Sequence, residues 1–325
     1  MNLVFCGTPA FAVPTLEALE RRGFKLSLVL TQPDRPKGRR LQPAPSPVKQ
    51  TAERLQLPIE QPDKIKINPP LQARLESLSP DAIVVVGYGR IIPPWMLELP
   101  RHGNINLHAS LLPQYRGAAP IQWAIANGEK LTGVTTMRID QGLDTGDILL
   151  QSQEIIGEED TAETLSPRLA ARGAELMVET LEALAAGRIR PQPQDPSHAS
   201  LAPLLKKEDG RIDFARSAGE IHNRLRAFQP WPGAFTSFRG KTLHLIQAKV
   251  RPVKLPQAEL HLRGGELFVG CGMHSSLELL RLQPEGKKSM SARDFIHGYR
   301  PQAGERLGDP PLTGAPVHTG SDTSA

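Results

Sequence analysis

Along the first 187 residues, short unbroken apolar runs alternate with stretches in which apolar residues recur every three or four positions. Residues 2–6, 25–31 and 82–86 are such runs, and Ala82-Ile83-Val84-Val85-Val86 has the β-branched character of a parallel strand covered on both faces. Between the first two runs, Leu16 and Leu19 mark one helix face, closed by Gly23. Ser46-Pro47 fits an N-cap followed by the first helical residue, opening a helix to about Leu55. A weak strand at Leu57-Pro58-Ile59-Glu60, a helix over residues 71–78 and strands over 133–139 and 148–156 follow. Asp160-Thr161-Ala162-Glu163 reads as a capping box starting a helix to about Ala186, with Leu165, Leu169, Leu176, Met177 and Leu184 on its apolar face and Pro167 placed to kink it. Strands alternating with helices predict an α/β domain.

Two segments break this rhythm. Residues 32–45 are too rich in Pro and charge for an element and read as a long, basic, mobile loop. Residues 188–203 have no periodicity and much Pro, the pattern of an interdomain linker. After a helix over residues 217–228 the period changes, with short β-patterned runs at 236–238, 243–250, 266–269 and 277–282 separated by Gly-containing turns. Such spacing predicts a small barrel, with an OB-like β-barrel the natural candidate. The division is therefore 1–187 for the α/β domain, 188–203 for the linker, 204–308 for the barrel domain and 309–325 for a polar tail expected to be disordered.

Composition narrows the class. At 325 residues the chain exceeds one ordinary core, and 39% apolar with 22% charged residues suits a soluble globular protein. No secretory leader opens the chain and no run of 18 apolar residues occurs, so a cytoplasmic location is expected. Cys6 and Cys271 lie far apart on predicted strands and read as buried free thiols, and no Cys/His spacing calls for a metal. The net charge of +5 is uneven: residues 203–307 hold 18 Lys and Arg against 10 Asp and Glu, whereas residues 1–202 are near −1. One sign of charge in one domain suits a polyanionic partner such as nucleic acid, with a solvated basic face as the plain alternative.

The densest chemistry lies in residues 103–147. In Asn104-Ile105-Asn106-Leu107-His108, strand alternation puts Asn106 and His108 side by side on one face. The turn Asp140-Gln141-Gly142-Leu143-Asp144-Thr145-Gly146-Asp147 has two glycines that permit a tight return of a carboxylate toward that pair. An amide, an imidazole and a carboxylate together suit acyl-type transfer: two N–H donors for a developing oxyanion and a group to receive a proton. No Ser or Cys sits in a nucleophile elbow, which favours direct transfer to an amine. Taken singly, each of the three residues reads better as a core histidine, a loop anchor or a turn residue, and only their clustering reverses this. Gly87-Tyr88-Gly89-Arg90-Ile91-Ile92 fails the dinucleotide pattern because Ile92 stands where its third glycine is required, which argues against a nicotinamide cofactor.

At this level of detail the chain resembles a known family. Asn106-Leu107-His108-Ala109-Ser110-Leu111-Leu112-Pro113, Tyr115-Arg116-Gly117 and Asp140-x-Gly142-x-Asp144-x-Gly146 are similar to the signature of formyltransferases that use 10-formyltetrahydrofolate. Thr31-Gln32-Pro33-Asp34-Arg35-Pro36, Leu204-Leu205-Lys206-Lys207-Glu208-Asp209-Gly210, Phe228-Gln229-Pro230-Trp231-Pro232-Gly233-Ala234 and Leu282-Gln283-Pro284-Glu285-Gly286-Lys287-Lys288 further resemble the branch whose acceptor is charged initiator tRNA. The resemblance runs from residue 1 to about 308. It implies a Rossmann-like formyltransferase domain, no metal, and a monomer. It also implies that Asn106 and His108 hold and polarise the formyl oxygen and that Asp144 sets the protonation state and helps deprotonate the amine. The folate would be lined by Ser110, Leu111, Leu112 and Pro113, with its pterin between the corner of Tyr88, Gly89, Ile91 and Ile92 and the turn of residues 140–144. The basic loop would meet the tRNA acceptor end through Arg39 or Arg40, the choice left open because Pro36-Lys37-Gly38-Arg39-Arg40-Leu41 is shorter than the family's usual loop. Lys206 and Lys207 would reach the nucleic acid, although lysines beside a linker are often merely solvated. An amino sugar nucleotide as acceptor, hydrolysis of the formyl-folate, and a nucleic-acid-binding protein with a degenerate enzyme domain stay as alternatives; the intact Asn106, His108 and Asp144 argue against the last.

Overall fold

In chain order the first part carries β1 (Asn2–Gly7), α1 (Val13–Arg21), β2 (Lys25–Leu30), β3 (Arg35–Lys37), β4 (Gln42–Ala44), α2 (Pro47–Arg54), β5 (Ile59–Glu60), α3 (Pro69–Leu78), β6 (Ala82–Val86), α4 (Pro94–Leu97), β7 (Asn104–His108), α5 (Pro120–Ala126), β8 (Leu131–Arg138), β9 (Ile148–Ile155) and α6 (Ala162–Ala185). This is a computed structural model that describes residues 1–37 and 42–308. The chain divides into two units, Met1–Leu205 and Lys206–Ala325.

The apolar runs form the middle of a seven-stranded sheet of order β5-β2-β1-β6-β7-β8-β9. Strands β5 to β7 are mutually parallel, and β8 and β9 close the sheet antiparallel. From β1 the chain winds out to β2 and β5, then crosses back to β6 and β7, so strand order reverses at β1 and β6, where open α/β sheets take ligands. One face carries Val4, Cys6, Leu28, Leu30, Ile83 and Val85 in a core with Tyr88, Ile92 and Met96. The other face meets α6, where Leu107 lies so close to Gly173 that a Cβ there would come within 2.6 Å of it. Among the described residues no helix is long and apolar enough to cross a membrane.

Several local expectations are met in altered form. Ser46 caps α2, its Oγ accepting from the Lys49 N–H at 3.0 Å. At α6 the cap is Thr161, so the reciprocal partner is Thr164 at 3.0 Å instead of Glu163, and the helix continues past Pro167. Residues 32–45 are not devoid of elements: β3 and β4 pair as a hairpin with Pro36 opposite Pro43, extended positions that need no proline N–H. Arg39 and Arg40 lie outside the described residues, as does the tail from 309. The segment expected to be a bare linker is ordered against the first unit: Gln192 exchanges backbone bonds with Ile148 at 2.8 and 2.9 Å, and the Arg116 N–H donates to Ser200 O at 2.8 Å.

The second unit contains α7 (Ala218–Ala227), β10 (Ala234–Phe238), β11 (Lys241–Arg251), β12 (Leu260–Arg263), β13 (Glu266–Cys271), β14 (Ser275–Pro284), β15 (Met290–Ser291) and α8 (Ala292–Tyr299). Its strands are antiparallel in the order β10-β11-β14-β13-β12, with β15 on β14, an arrangement compatible with the expected OB-like barrel. A register shift between Leu245 and Ala248 resets the alternation, so Leu243, Leu245 and Ala248 all enter one core with Ile221, Leu225 and Phe295. Cys6 and Cys271 are free and buried, one in each unit, and burial pushes the Cys271 thiol up to about 12.

Candidate active site

Register across three strands builds the floor of the site. Val85 of β6, Asn106 of β7 and Met137 of β8 stand side by side, and all three wall a cavity of about 690 Å³. The walls continue through residues 87–92, Pro94 and Leu97 of α4, Ile139 and the turn of residues 140–144. The corner after β6 depends on glycine: Gly87 and Gly89 have φ of +55° and +73°. Gln32 pins this corner, its Nε2 donating to Tyr88 O at 2.8 Å and Gly89 O at 3.3 Å. Gln32 is held in turn by Gln61, which also bonds Asp34 at 2.7 Å, and bonds from Lys49 and Gln61 hold the Asp34 carboxyl below its usual range. The Thr31-Gln32-Pro33-Asp34 motif is thus the brace of the corner. Tyr88 is buried, which raises its phenol well above the usual value.

His108, only 6% exposed, stands on the same face as Asn106 but behind the cavity wall. Its Nε2 donates to Tyr115 O at 2.9 Å; a carbonyl can only accept, so Nε2 carries a hydrogen and Nδ1 is the atom facing Asp144 Oδ2, 3.7 Å away. That separation exceeds a direct hydrogen bond. Asp144 has φ +52° and accepts from the Gly117 N–H at 2.9 Å. Behind it, Asp140 accepts from the Gly142 N–H at 2.9 Å and from the Thr145 hydroxyl, and a Cβ at Gly146 would stand 1.9 Å from Arg138 O. The two glycines therefore serve a turn with no space for side chains. Tyr115, at φ +59°, is tied by its hydroxyl to Glu129 at 2.6 Å, and burial together with that carboxylate pushes the phenol up to about 12.

Asn106, His108 and Asp144 therefore converge, and Tyr88, Gly89, Ile91 and Ile92 line the cavity beside them. Ser110, Leu111, Leu112 and Pro113 are not on its wall. Ser110 Oγ instead donates to Gln114 O at 2.6 Å, and Leu112 is buried with its N–H on Thr135 Oγ1 and its carbonyl on Gln151 Nε2. The run shapes the loop after β7 and completes the core beneath it. Lys206 and Lys207 are exposed at the start of the second unit, with the Lys206 N–H on Asp209 at 2.7 Å. In the sequence Tyr115 and Gly117 figure only as part of a family signature and Gln194 only within a linker, yet their backbone and amide groups hold His108 and Asp144; no apolar period marks such positions.

The arrangement can be set beside known proteins. A family model described as Formyl transferase matches residues 1–181, and one described as Formyl transferase, C-terminal domain, matches residues 204–300. The chain belongs to the formyltransferase family. A methionyl-tRNA formyltransferase of Koribacter versatilis is 61% identical, with 95% of this chain and 99% of that protein covered. One of Acidobacterium capsulatum is 58% identical, with 95% of this chain and the whole of that protein covered. Among solved structures, an N-formyltransferase from Helicobacter canadensis in complex with folinic acid and dTDP-3-aminofucose has a TM-score of 0.66 at 19% identity, covering 87% of this chain and 99% of that one. At that identity the likeness concerns the fold, which in this formyltransferase is the α/β unit followed by the antiparallel one.

Proposed function

We propose that this formyltransferase transfers the formyl group of 10-formyltetrahydrofolate to the α-amino group of methionyl-initiator tRNA, giving N-formylmethionyl-tRNA for translation initiation. The observation that carries the reading is the meeting of Asn106, His108 and Asp144 at the edge of a largely apolar cavity of a size suited to a folate ring system, in a chain that matches methionyl-tRNA formyltransferases over 95% of its length. The acceptor amine attacks the formyl carbon, its nitrogen loses a proton, and the carbonyl oxygen becomes anionic. Asn106 Nδ2 is one donor offered to that oxygen; because Nε2 is committed to Tyr115 O, His108 Nδ1 becomes the second donor only when the ring is an imidazolium. Asp144 balances an imidazolium at His108 and takes the amine proton, directly or through one water. Collapse breaks the bond from the formyl carbon to N10, and N10 leaves as tetrahydrofolate with the proton that Asp144 or its water took from the amine. No covalent enzyme intermediate is required.

In this reading Tyr88, Gly89, Ile91 and Ile92 seat the pterin, and residues 110–113 act by holding the loop after β7 beside the folate site. The tRNA meets Arg39 or Arg40 at its acceptor end and Lys206, Lys207 and the basic residues of the second unit along its backbone, a term that weakens steeply with salt. The protein works as a monomer in the cytoplasm. The test is one assay with 10-formyltetrahydrofolate and, separately, charged initiator tRNA, charged elongator tRNA, free methionine and a dTDP-linked amino sugar. Formylation confined largely to the charged initiator is expected; equal formylation of methionine or of the sugar amine would overturn the tRNA reading.

A further inference from the structure

The segment that sequence alone marks as a linker touches both sides of the catalytic pair. Gln194 stands between two loops: its Nε2 donates to Asp144 O at 2.9 Å and Gly146 O at 2.7 Å, while its Oε1 accepts from Arg116 Nε and Nη2 at 3.0 and 2.7 Å. All four bonds of one side-chain amide are spent on joining the Asp144 turn to the Tyr115-Arg116-Gly117 loop. Six residues on, Ser200 Oγ accepts from the Tyr115 N–H at 2.9 Å. Tyr115 O is the group that holds His108 Nε2. Ser200 O and the Ala202 N–H bond Arg116 on both sides, at 2.8 and 2.7 Å, so the segment lies beside this loop as an added strand would.

We infer that Gln194 and Ser200 are positioning residues for the transfer reaction, Gln194 fixing Asp144 and Ser200 fixing His108 through Tyr115. Neither lies on the cavity wall, and Ser200 is exposed, so neither touches a reacting atom and neither belongs to the packed core. What they govern is the 3.7 Å separation between His108 Nδ1 and Asp144 Oδ2. Both partners of that separation sit on residues with positive φ or hang from one, Asp144 at +52° and Tyr115 at +59°, and such backbone states persist where neighbouring bonds hold them. The segment that leads into the second unit thereby sets the geometry of the catalytic pair in the first. This assignment rests on the formyl-transfer reading above.

The experiment combines kinetics with an observation of His108 that needs no acceptor. Gln194→Ala and Ser200→Ala should each lower kcat about tenfold, about 1.4 kcal/mol at the transition state, with the KM for 10-formyltetrahydrofolate within about twofold of wild type. Ser200→Thr, which keeps the hydroxyl acceptor at an exposed position, should restore kcat. Gln194→Glu keeps the acceptor for Arg116 but faces a carboxylate toward two carbonyls, and should be at least as slow as Gln194→Ala. In the free protein, imidazole 15N spectra with His108 assigned through His108→Gln should show its signals displaced in Ser200→Ala and restored in Ser200→Thr. Undisplaced His108 signals, or a Ser200→Thr no better than Ser200→Ala, would overturn the inference. A wild-type protein inactive on charged initiator tRNA, with the His108 displacement intact, would count against the formyl-transfer reading and leave the positioning role supported.

Discussion

Replacing Asp144 with Asn removes one charge and little else. Asn is among the few residues at ease at a φ of +52°, and its amide oxygen can still accept the Gly117 N–H that now lies 2.9 Å from Oδ2. What disappears is a carboxylate 3.7 Å from His108 Nδ1. Two unit charges at about 4 Å interact by about 4 kcal/mol at an effective dielectric of 20. The Asp144 side chain is 16% exposed, and with solvent screening about half of that survives, or roughly 30-fold in rate. Loss of the proton acceptor adds at least about 10²-fold, so kcat should fall about 10³-fold. Single-turnover formylation of methionyl-initiator tRNA at saturating formyl-folate measures this, beside a thermal melt. The melt should be nearly unchanged for Asp144→Asn, whereas Asp144→Ala also bears a backbone cost of about 1 kcal/mol or more. A kcat within tenfold of wild type with an intact fold would remove the charge from the mechanism.

Two further outcomes test the supports of the site and of the fold. Gly146→Ala places a Cβ 1.9 Å from Arg138 O, a backbone atom that cannot swing away, so the turn must shift; a loss of about 1–3 kcal/mol in urea unfolding and a parallel loss of kcat are expected, and unchanged values in both would mean that the turn has slack. Asp160 is bound to Arg168 at 2.7 Å, and that bond leads the causes that hold its carboxyl at about 2 against an ordinary 3.8. A depressed carboxyl contributes stability that is complete above the unfolded value and is lost as pH falls from about 4 toward 2. Since the Arg168 side chain is 41% exposed, the contribution is discounted to about 1 kcal/mol, so Arg168→Ala should be less stable by that amount at pH 7 and the gap should narrow below pH 4. A gap independent of pH would assign the effect to packing of the arginine stem.

What the sequence could reveal of this site follows from how each part is built. Asn106 and His108 were readable as neighbours because the two-residue period of a strand holds whatever surrounds it, and the unbroken run at residues 82–86 announced a strand buried on both faces. The corner after β6 was readable from its glycines. The groups that hold the reactive side chains were not. His108 is fixed by a carbonyl, that of Tyr115, and Asp144 by an N–H, that of Gly117, and backbone groups are the same at every position of every sequence. The left-handed backbone at Tyr115 is a state that no residue pattern predicts for a tyrosine. Gln194, through four bonds of its side-chain amide, and Ser200, through one bond to backbone, act from a Pro-rich segment with no apolar period, which is why that segment looked like a tether. Leu112, which the family resemblance puts at a folate site, is 3% exposed and completes the core, a placement that its apolar side chain alone would also suit. Periodicity reports only which side chains share a surface. Asn106 and His108 are carried by such a surface, but Asp144 stands on an aperiodic turn, and the 3.7 Å between it and His108 is decided by loop atoms that leave no trace in composition or spacing.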